Sequence, residues 1–295
     1  MLEATYRYRG RLIAAEDLQF IRDLIAANAE ASRYALSKLL CAAWDWKQAN
    51  GALCDMVCRG MLLMLDRAGA IQLPAARKGG QPRSVTRKRP EPVVPDNRAV
   101  RGPLNQIGEI VIEMVRRTPQ EGLFNSLMEQ YHYLGYEQPV GEHLKYLVTA
   151  RGQAIAYLAW SSAPRHLGCR DRFIGWDAAR RRSNIHLLAY NTRFLILPWV
   201  RVEHLASHLL GRAAARIAAD WERAYAHPVY LLETFVDPER FRGTCYRAAN
   251  WIRVGQTTGR GKDDQTHKAN RPLKDVLVYP LNRRFRQLLS QEAGA

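Results

Sequence analysis

The chain has 295 residues, 47% hydrophobic and 9% aromatic. That suits about two domains with real cores and excludes a disordered chain. No run approaches the ~18 apolar residues of a membrane span, and Met1–Arg7 is not an apolar stretch of signal-peptide type. Five scattered cysteines (Cys41, Cys54, Cys58, Cys169, Cys245) fit a reducing compartment better than a disulfide framework, so a cytoplasmic protein is expected.

Lys and Arg number 44 against 28 Asp and Glu, a formal net charge of +16. Such an excess raises the local concentration of polyanions, nucleic acid first. A membrane surface is not expected, because the basic residues do not follow one long amphipathic helix. The charge is uneven: residues 1–76 are near neutral at +1, whereas 77–101 and 247–295 carry +6 each.

The first predicted elements are helical. Leu18, Ile21, Leu24 and Ile25 stripe Ala15–Asn28, and Ser32 is placed to cap Arg33–Trp46, with Leu36, Leu39, Leu40 and Ala43 inward. Asn50-Gly51 breaks the chain. A third helix follows at about Leu53–Ala68, with Gly69 at its C-terminus and a short strand expected over Ala70–Pro74. Helix, break, helix and strand predict a winged helix-turn-helix in 1–76, whose third helix would offer Arg59 to DNA, with Lys47 just before it. The alternative is a plain three-helix bundle, which the near-neutral charge favours. Cys54 and Cys58 share a helix face and read as buried small side chains, with no finger spacing around them.

Residues 77–102 read as a basic linker. Pro82, Pro90, Pro92 and Pro95, few large apolar residues and no period predict a mobile, extended segment able to lie along phosphates, with Arg87, Lys88 and Arg89 as contacts.

Residues 103–295 predict an α+β domain. Pro103–Arg117 and Gly122–Gln130 read as helices. His143–Thr149 and Gln153–Ser161 alternate and form a hairpin across Arg151-Gly152, and Asp171–Trp176 reads as a short strand. Arg193–Pro198 suits a central strand. A long helix over Val202–Tyr225, a central strand Val229–Val236, a short helix Phe241–Asn250 and strands at Trp251–Gly255 and Leu273–Pro280 complete the order.

That order resembles the GCN5-related N-acetyltransferase fold. Tyr246-Arg-Ala-Ala-Asn250-Trp251-Ile-Arg-Val-Gly255 is similar to the family's Y-x-K-x-G-F pattern, with Asn250 standing for the Gly one residue further on. The family binds the CoA pyrophosphate on an R/Q-x-x-G-x-G/A turn at a helix start. Here the stretch is Arg201-Val-Glu203-His204-Leu-Ala206: His204 replaces the first Gly and Glu203 adds negative charge. The resemblance thus implies the fold with acetyl-CoA binding not expected. A wider resemblance is to the Druantia protein A family, carried by SRYALSKLLCAAWDWKQANGALCDMVCRGMLLMLDRAGAIQLP, LMEQYHYLG, RDRFIGWD, NTRFLILPWVRVEHLASHLL, ETFVD and YRAANWIRVGQTTGRGKDD. It implies a prokaryotic protein of anti-phage defence or of mobile elements, acting on or against DNA beside a larger defence or transposition partner. It brings no catalytic residues with it.

Chemistry is expected where charge interrupts apolar runs. Glu233 sits within VYLLETFV, where a carboxylate must be paired, metal-bound or protonated. Asp237 follows it, and Asp177 ends RDRFIGWD. Asp177, Arg193, Glu233 and Asn250 are the candidate catalytic set. Asp177, Glu233 and Asp237 are candidate ligands for Mg²⁺ in phosphodiester hydrolysis, or one carboxylate is a general base on a nucleobase amine. The structural alternative is a Glu233–Arg193 ion pair with Asp237 capping a helix. Gly255, Gly259 and Gly261 with Arg260 and Lys262 form a cationic loop suited to phosphate, joined by Lys274; Asp263 in place of Ser/Thr excludes a Walker A loop. His204 and His208 lack the Glu of a zinc-protease helix. The expectation is a DNA-binding protein that cleaves or modifies DNA, the alternatives being a recognition subunit that recruits an enzyme and an acyl-CoA-dependent transferase.

Overall fold

The computed structural model describes residues 5–8, 11–47, 51–75, 89–260 and 271–291. The chain divides into two compact units, one from residues 1–88 with 219–228, the other from 89–218 with 229–293.

The first unit opens with an antiparallel hairpin, β1 (Tyr6–Tyr8) and β2 (Arg11–Ile13), followed by α1 (Ala15–Ala27), α2 (Arg33–Ala43) and α3 (Asp55–Arg67). Two helix ends are fixed by residues that the sequence marks, and α2 stops at Ala43, short of the expected Trp46. Ser32 Oγ accepts the Ala35 N–H at 3.2 Å and so caps α2. Gly69, at φ +72°, lets the Ala70 N–H turn back to the Leu65 carbonyl at 3.0 Å and closes α3. Leu18, Ile21, Leu36, Leu40, Val57, Cys58, Met61 and Leu65 are buried together with Cys41 and Cys54, so the cysteines fill the interior as expected.

The strand expected over Ala70–Pro74 does not form. Its backbone is held by side chains instead: Arg22 and Arg33 donate to the carbonyls of Ala70 (3.0 Å) and Pro74 (2.7 Å), and Asp66 accepts the Leu73 N–H at 2.9 Å. Among the described residues of this unit the only strands precede the helices, so helix, helix, helix stands without the wing after α3.

The second unit contains β3 (Val100–Gly102), β4 (Ile110–Met114), α4 (Glu121–Tyr131), β5 (His143–Ala150), β6 (Gln153–Ser162), α5 (Gly168–Ile174), α6 (Ala178–Asn184), β7 (Leu188–Ile196), β8 (Val200–Val202), α7 (Leu205–Tyr225), β9 (Leu231–Val236), α8 (Thr244–Ala248), β10 (Ile252–Gln256), β11 (Asp275–Pro280) and α9 (Phe285–Ser290). The last residues of α7, from Ala219, fall within the first unit. A seven-stranded mixed sheet runs β10-β11-β9-β7-β6-β5-β4, antiparallel throughout except where β7 lies parallel to β9. Hairpin, strand, long helix, strand, helix and hairpin appear in the order the acetyltransferase resemblance implied.

The centre of the sheet is buried on both faces. Ile155 to Leu158 and Trp160 of β6 are fully enclosed, which is why this segment is apolar almost without alternation. Ile174, Trp176, Phe285 and Leu289 cover Leu188, Leu231 and Val278 on the side of α5, α6 and α9. Arg212 and Arg216 of α7 donate to the carbonyls of Ile110 (2.7 Å) and Ile112 on the edge strand β4.

Three expectations are corrected. Pro103–Arg117 is not a helix: Gly108 at φ +85° breaks it, and from Ile110 burial alternates strictly, so β4 forms with Ile110 and Ile112 inward. Asp171–Trp176 is not a strand but most of α5, ended by left-handed Gly175, whose N–H reaches the Asp171 carbonyl at 2.9 Å. The second half of the expected linker is tied down. Ser126 Oγ accepts the Val93 N–H at 2.9 Å, Gln153 donates to the carbonyls of Asp96 (3.2 Å) and Arg98 (2.8 Å), and β3 pairs in parallel with β8. Residues 76–88 lie outside the described residues.

Candidate functional site

The site follows from a single irregularity in the sheet. Thr192 is an extra residue in β7: Ala159 of β6 pairs with Arg193 and Trp160 with Asn191. The bulge is fixed by side chains, since Asn191 Nδ2 and Thr192 Oγ1 both donate to the Ala159 carbonyl, at 3.0 and 3.2 Å. A bulge bends its strand. Pairing between β7 and β9 accordingly stops at Asn191–Thr234, while β7 continues along β6 to Ile196. Between the parted strands lies a cleft of about 450 Å³.

Its floor is a satisfied polar network. Tyr246 of α8 donates to Asn191 Oδ1 at 2.7 Å, and Thr234 donates to the Asn191 carbonyl at 3.2 Å. Its walls are aromatic: Tyr190 and Phe235 pack at 4.7 Å between centroids, with Phe194, Tyr131 and Tyr133 also lining. Three cations line it, Arg193, Arg242 and Lys274, against one carboxylate, Asp237. Arg193 donates to the carbonyls of Gly135 (3.2 Å) and Thr192 (2.9 Å). Asp237 accepts the Glu239 N–H at 3.1 Å and pairs with Arg240 at 3.6 Å. Burial, with help from Arg193, pushes His132 down to about 4, so its imidazole is neutral at pH 7. Burial likewise raises the phenols of Tyr190 and Tyr246, which stay protonated.

The expected catalytic set does not converge. Arg193 lines the cleft, but Glu233 is outside its lining and fully buried. Its partner is Arg170 of α5, at 3.2 Å, and not Arg193. Arg170 also binds Asp171 at 2.8 Å, which Arg181 meets at 3.0 Å, so four charges neutralise one another. Burial pushes the Glu233 carboxyl up to about 7 against the pull of Arg170. Asp177 is an exposed N-cap of α6, accepting the Arg180 N–H at 2.7 Å. Asn250 is an exposed turn residue at φ +63°, outside the cleft lining.

The three expected metal ligands are placed apart: Asp177 caps a helix, Glu233 is in a sealed ion pair and Asp237 is in the cleft wall. Among the described residues no three His, Cys, Asp or Glu side chains come together as metal ligands. The expected cofactor turn leads into α7. The backbone of Arg201 and Val202 lies in a ladder with β3, and Glu203 is exposed beside it. His204 does hold the left-handed conformation, φ +59°, that a glycine would supply.

Of the expected nucleic-acid contacts, Lys274 lines the cleft. Arg89 lies 3.7 Å from Glu129, and Lys47 pairs with Asp45 at 2.5 Å. Arg59 pairs with Asp55 at 3.6 Å and lies over the Tyr34 ring. Arg260 is exposed. Arg87, Lys88 and Lys262 lie outside the described residues. Sequence reasoning missed Arg170, Tyr190, Phe235, Phe241 and Arg242. The alternation of LLETFV, which sets Glu233 and Thr234 on opposite faces, was the signal available.

Residues 66–271, more than half of the chain, match the family model described as Druantia protein DruA. The chain belongs to that family, a defence-associated one. No curated protein matches. Among solved structures, the chain is similar to the ribosomal-protein-S18-alanine N-acetyltransferase of Escherichia coli (11% identity, 59% of this chain and 95% of that one, TM-score 0.36). It is also similar to the aminoglycoside acetyltransferase AAC(6')-Ib in complex with coenzyme A and kanamycin (12% identity, 61% and 98%, TM-score 0.36). A third is FeeM, an N-acyl amino acid synthase from uncultured soil microbes (12% identity, 59% and 90%, TM-score 0.37). No helix among the described residues is long and apolar enough to cross a membrane.

Proposed function

We propose that this chain is a cytoplasmic DNA-acting protein of anti-phage defence or mobile elements, and that it engages DNA in the cleft between β7 and β9. The observation that carries the reading is the lining of that cleft: aromatic walls and three cations against a single carboxylate, in a chain of net charge +16. Asp237 is the group in the lining with the chemistry to accept a proton from a nucleobase amine or a water. It pairs with the exposed Arg240 and lies in the cleft wall.

A second reading, a recognition subunit that recruits a larger defence or transposition enzyme, is favoured by one observation. The carboxylates expected to act together are apart, and Glu233 is sealed by Arg170.

Purified protein and its Asp237→Asn variant, incubated with plasmid and single-stranded DNA with and without Mg²⁺, separate these readings by gel and by mass analysis of the recovered DNA. DNA altered by the wild type and not by the variant supports the enzyme. DNA bound and unaltered by both supports the recognition subunit. Absence of DNA binding, with thermal stabilisation by millimolar acetyl-CoA, would establish an acyl-CoA-dependent transferase instead.

A further inference from the structure

We propose that the cleft between β7 and β9 seats an unpaired nucleobase, so that the protein selects single-stranded or locally opened DNA over intact duplex. The proposal rests on the DNA-acting reading above and names the state of the strand that reading leaves open.

The mouth of the cleft supplies the first argument. Tyr133 and Phe241 are 43% and 50% exposed and face each other at 5.3 Å between ring centroids, tilted by 57°. Two large rings partly exposed at the entrance of a cavity leave apolar faces available to a ligand. A base has two π-faces and stacks on such rings whatever its identity. In a duplex those faces are covered by neighbouring bases, and only base edges are offered. Rings that line walls therefore read unpaired bases.

The size and depth of the cleft supply the second. A volume of about 450 Å³ lies within the range of small-molecule sites, roughly 300–1,000 Å³, and takes a planar heterocycle with its sugar. Tyr190 and Phe235 continue the aromatic wall inward from the mouth.

Charge and donors supply the third. Arg240 lies over the Tyr133 ring at 5.3 Å, and Arg242 is exposed in the lining, so the mouth is cationic where a phosphate backbone would pass. Inside, His132 Nδ1 accepts the Leu134 N–H at 3.2 Å, which leaves the proton of the neutral ring on Nε2 as a donor. A stacking slot with a donor inside and cations at its rim is the arrangement that holds a base by its face and edge and its phosphate from outside.

The test uses the full chain and three labelled probes of one sequence: single strand, blunt duplex, and duplex with one bulged 2-aminopurine. Binding is read by anisotropy, and stacking by 2-aminopurine fluorescence. The wild type is expected to bind the single strand and the bulged duplex at least about tenfold more tightly than the blunt duplex, and to quench the probe. Tyr133→Ala and Phe241→Ala are each expected to weaken single-strand binding roughly 5- to 100-fold. They should leave duplex binding unchanged, and Tyr133→Trp should restore it for the single strand. Both positions are exposed, so an unchanged melting temperature verifies the fold. Equal affinity for the three probes with no quenching overturns the proposal while DNA engagement stands. Binding to none of them overturns both.

Discussion

Replacing Arg170 by Met tests the sealed charge network directly. Arg170 and Glu233 are both fully buried, and the guanidinium reaches the carboxylate at 3.2 Å. Arg170 also donates to the carbonyls of Pro164 (2.9 Å) and Arg165 (3.4 Å). Removing one member of such a pair leaves a buried charge uncompensated and costs about 3–5 kcal/mol. Asp171 keeps Arg181, so the orphan is Glu233. Without Arg170 its carboxyl, already near 7, rises further and must be protonated for the chain to fold. The sign follows. A carboxyl whose folded value is raised binds a proton more tightly when folded, so stability is lost as pH rises. In the wild type that loss ends near pH 7, where the paired carboxylate ionises in the folded state too. In Arg170→Met it continues at about 1.4 kcal/mol per pH unit, or about 2.7 kcal/mol between pH 7 and 9. Urea unfolding followed by circular dichroism across that range measures the gap between variant and wild type. The double variant Arg170→Met with Glu233→Gln should abolish its pH dependence. A gap that stays constant from pH 7 to 9 would refute the sealed pair.

Other consequences are as specific. Among the described residues the Tyr157 hydroxyl is buried without a hydrogen-bond partner while its ring meets Phe124 edge-on at 5.4 Å, so Tyr157→Phe should be neutral or stabilising by up to about 1 kcal/mol in chemical denaturation. Gly255 sits at φ +151° in the β10–β11 bulge, and a Cβ there would lie 2.7 Å from Cys169 Cβ; Gly255→Ala should cost about 1–3 kcal/mol by the same measurement. Burial pushes His143 down to about 4, so its contribution to stability is lost as pH falls from 6.5 towards 4, by about 3 kcal/mol at most. Glu233, raised to about 7, gains stability as pH falls from there to its ordinary 4.5 and opposes it. His132, also pushed down to about 4, adds a second loss of the same sign, so the wild-type melting temperature should fall between pH 6.5 and 4.5 and that of Glu233→Gln should fall further; parallel profiles would contradict the Glu233 shift.

Most of the fold was legible because its signals are local. Ser32 and Gly69 punctuate helices, the Arg151-Gly152 turn joins β5 to β6, and the four-residue recurrence from Leu205 to Trp221 marks α7. Legibility failed where two periods fit the same residues. Leu104, Ile107, Ile110, Val111 and Met114 satisfy a helical stripe, yet Ile110 and Ile112 satisfy alternation, and pairing of β4 with β5 decides for the strand. It failed again where side chains replace a partner strand. Nothing around Ala70–Pro74 in the sequence says that Arg22, Arg33 and Asp66 will take its backbone groups.

The site was half legible for a related reason. An acidic residue in an apolar strand announces only that a compensating charge exists, and Arg193 was the partner expected for Glu233. Arg193 lies on a strand that pairs with β9, but it stands beyond Asn191–Thr234, where that pairing stops, and it donates to the Gly135 and Thr192 carbonyls instead. Arg170 comes from a helix 63 residues away in sequence, a distance no spacing rule spans. The bulge at Thr192 is what opens the cleft, so one extra residue that no sequence signal marks creates the site in the structure. It follows that Asn191 and Thr192, which fasten the bulge to the Ala159 carbonyl, govern the width of the cleft more directly than any residue lining its mouth.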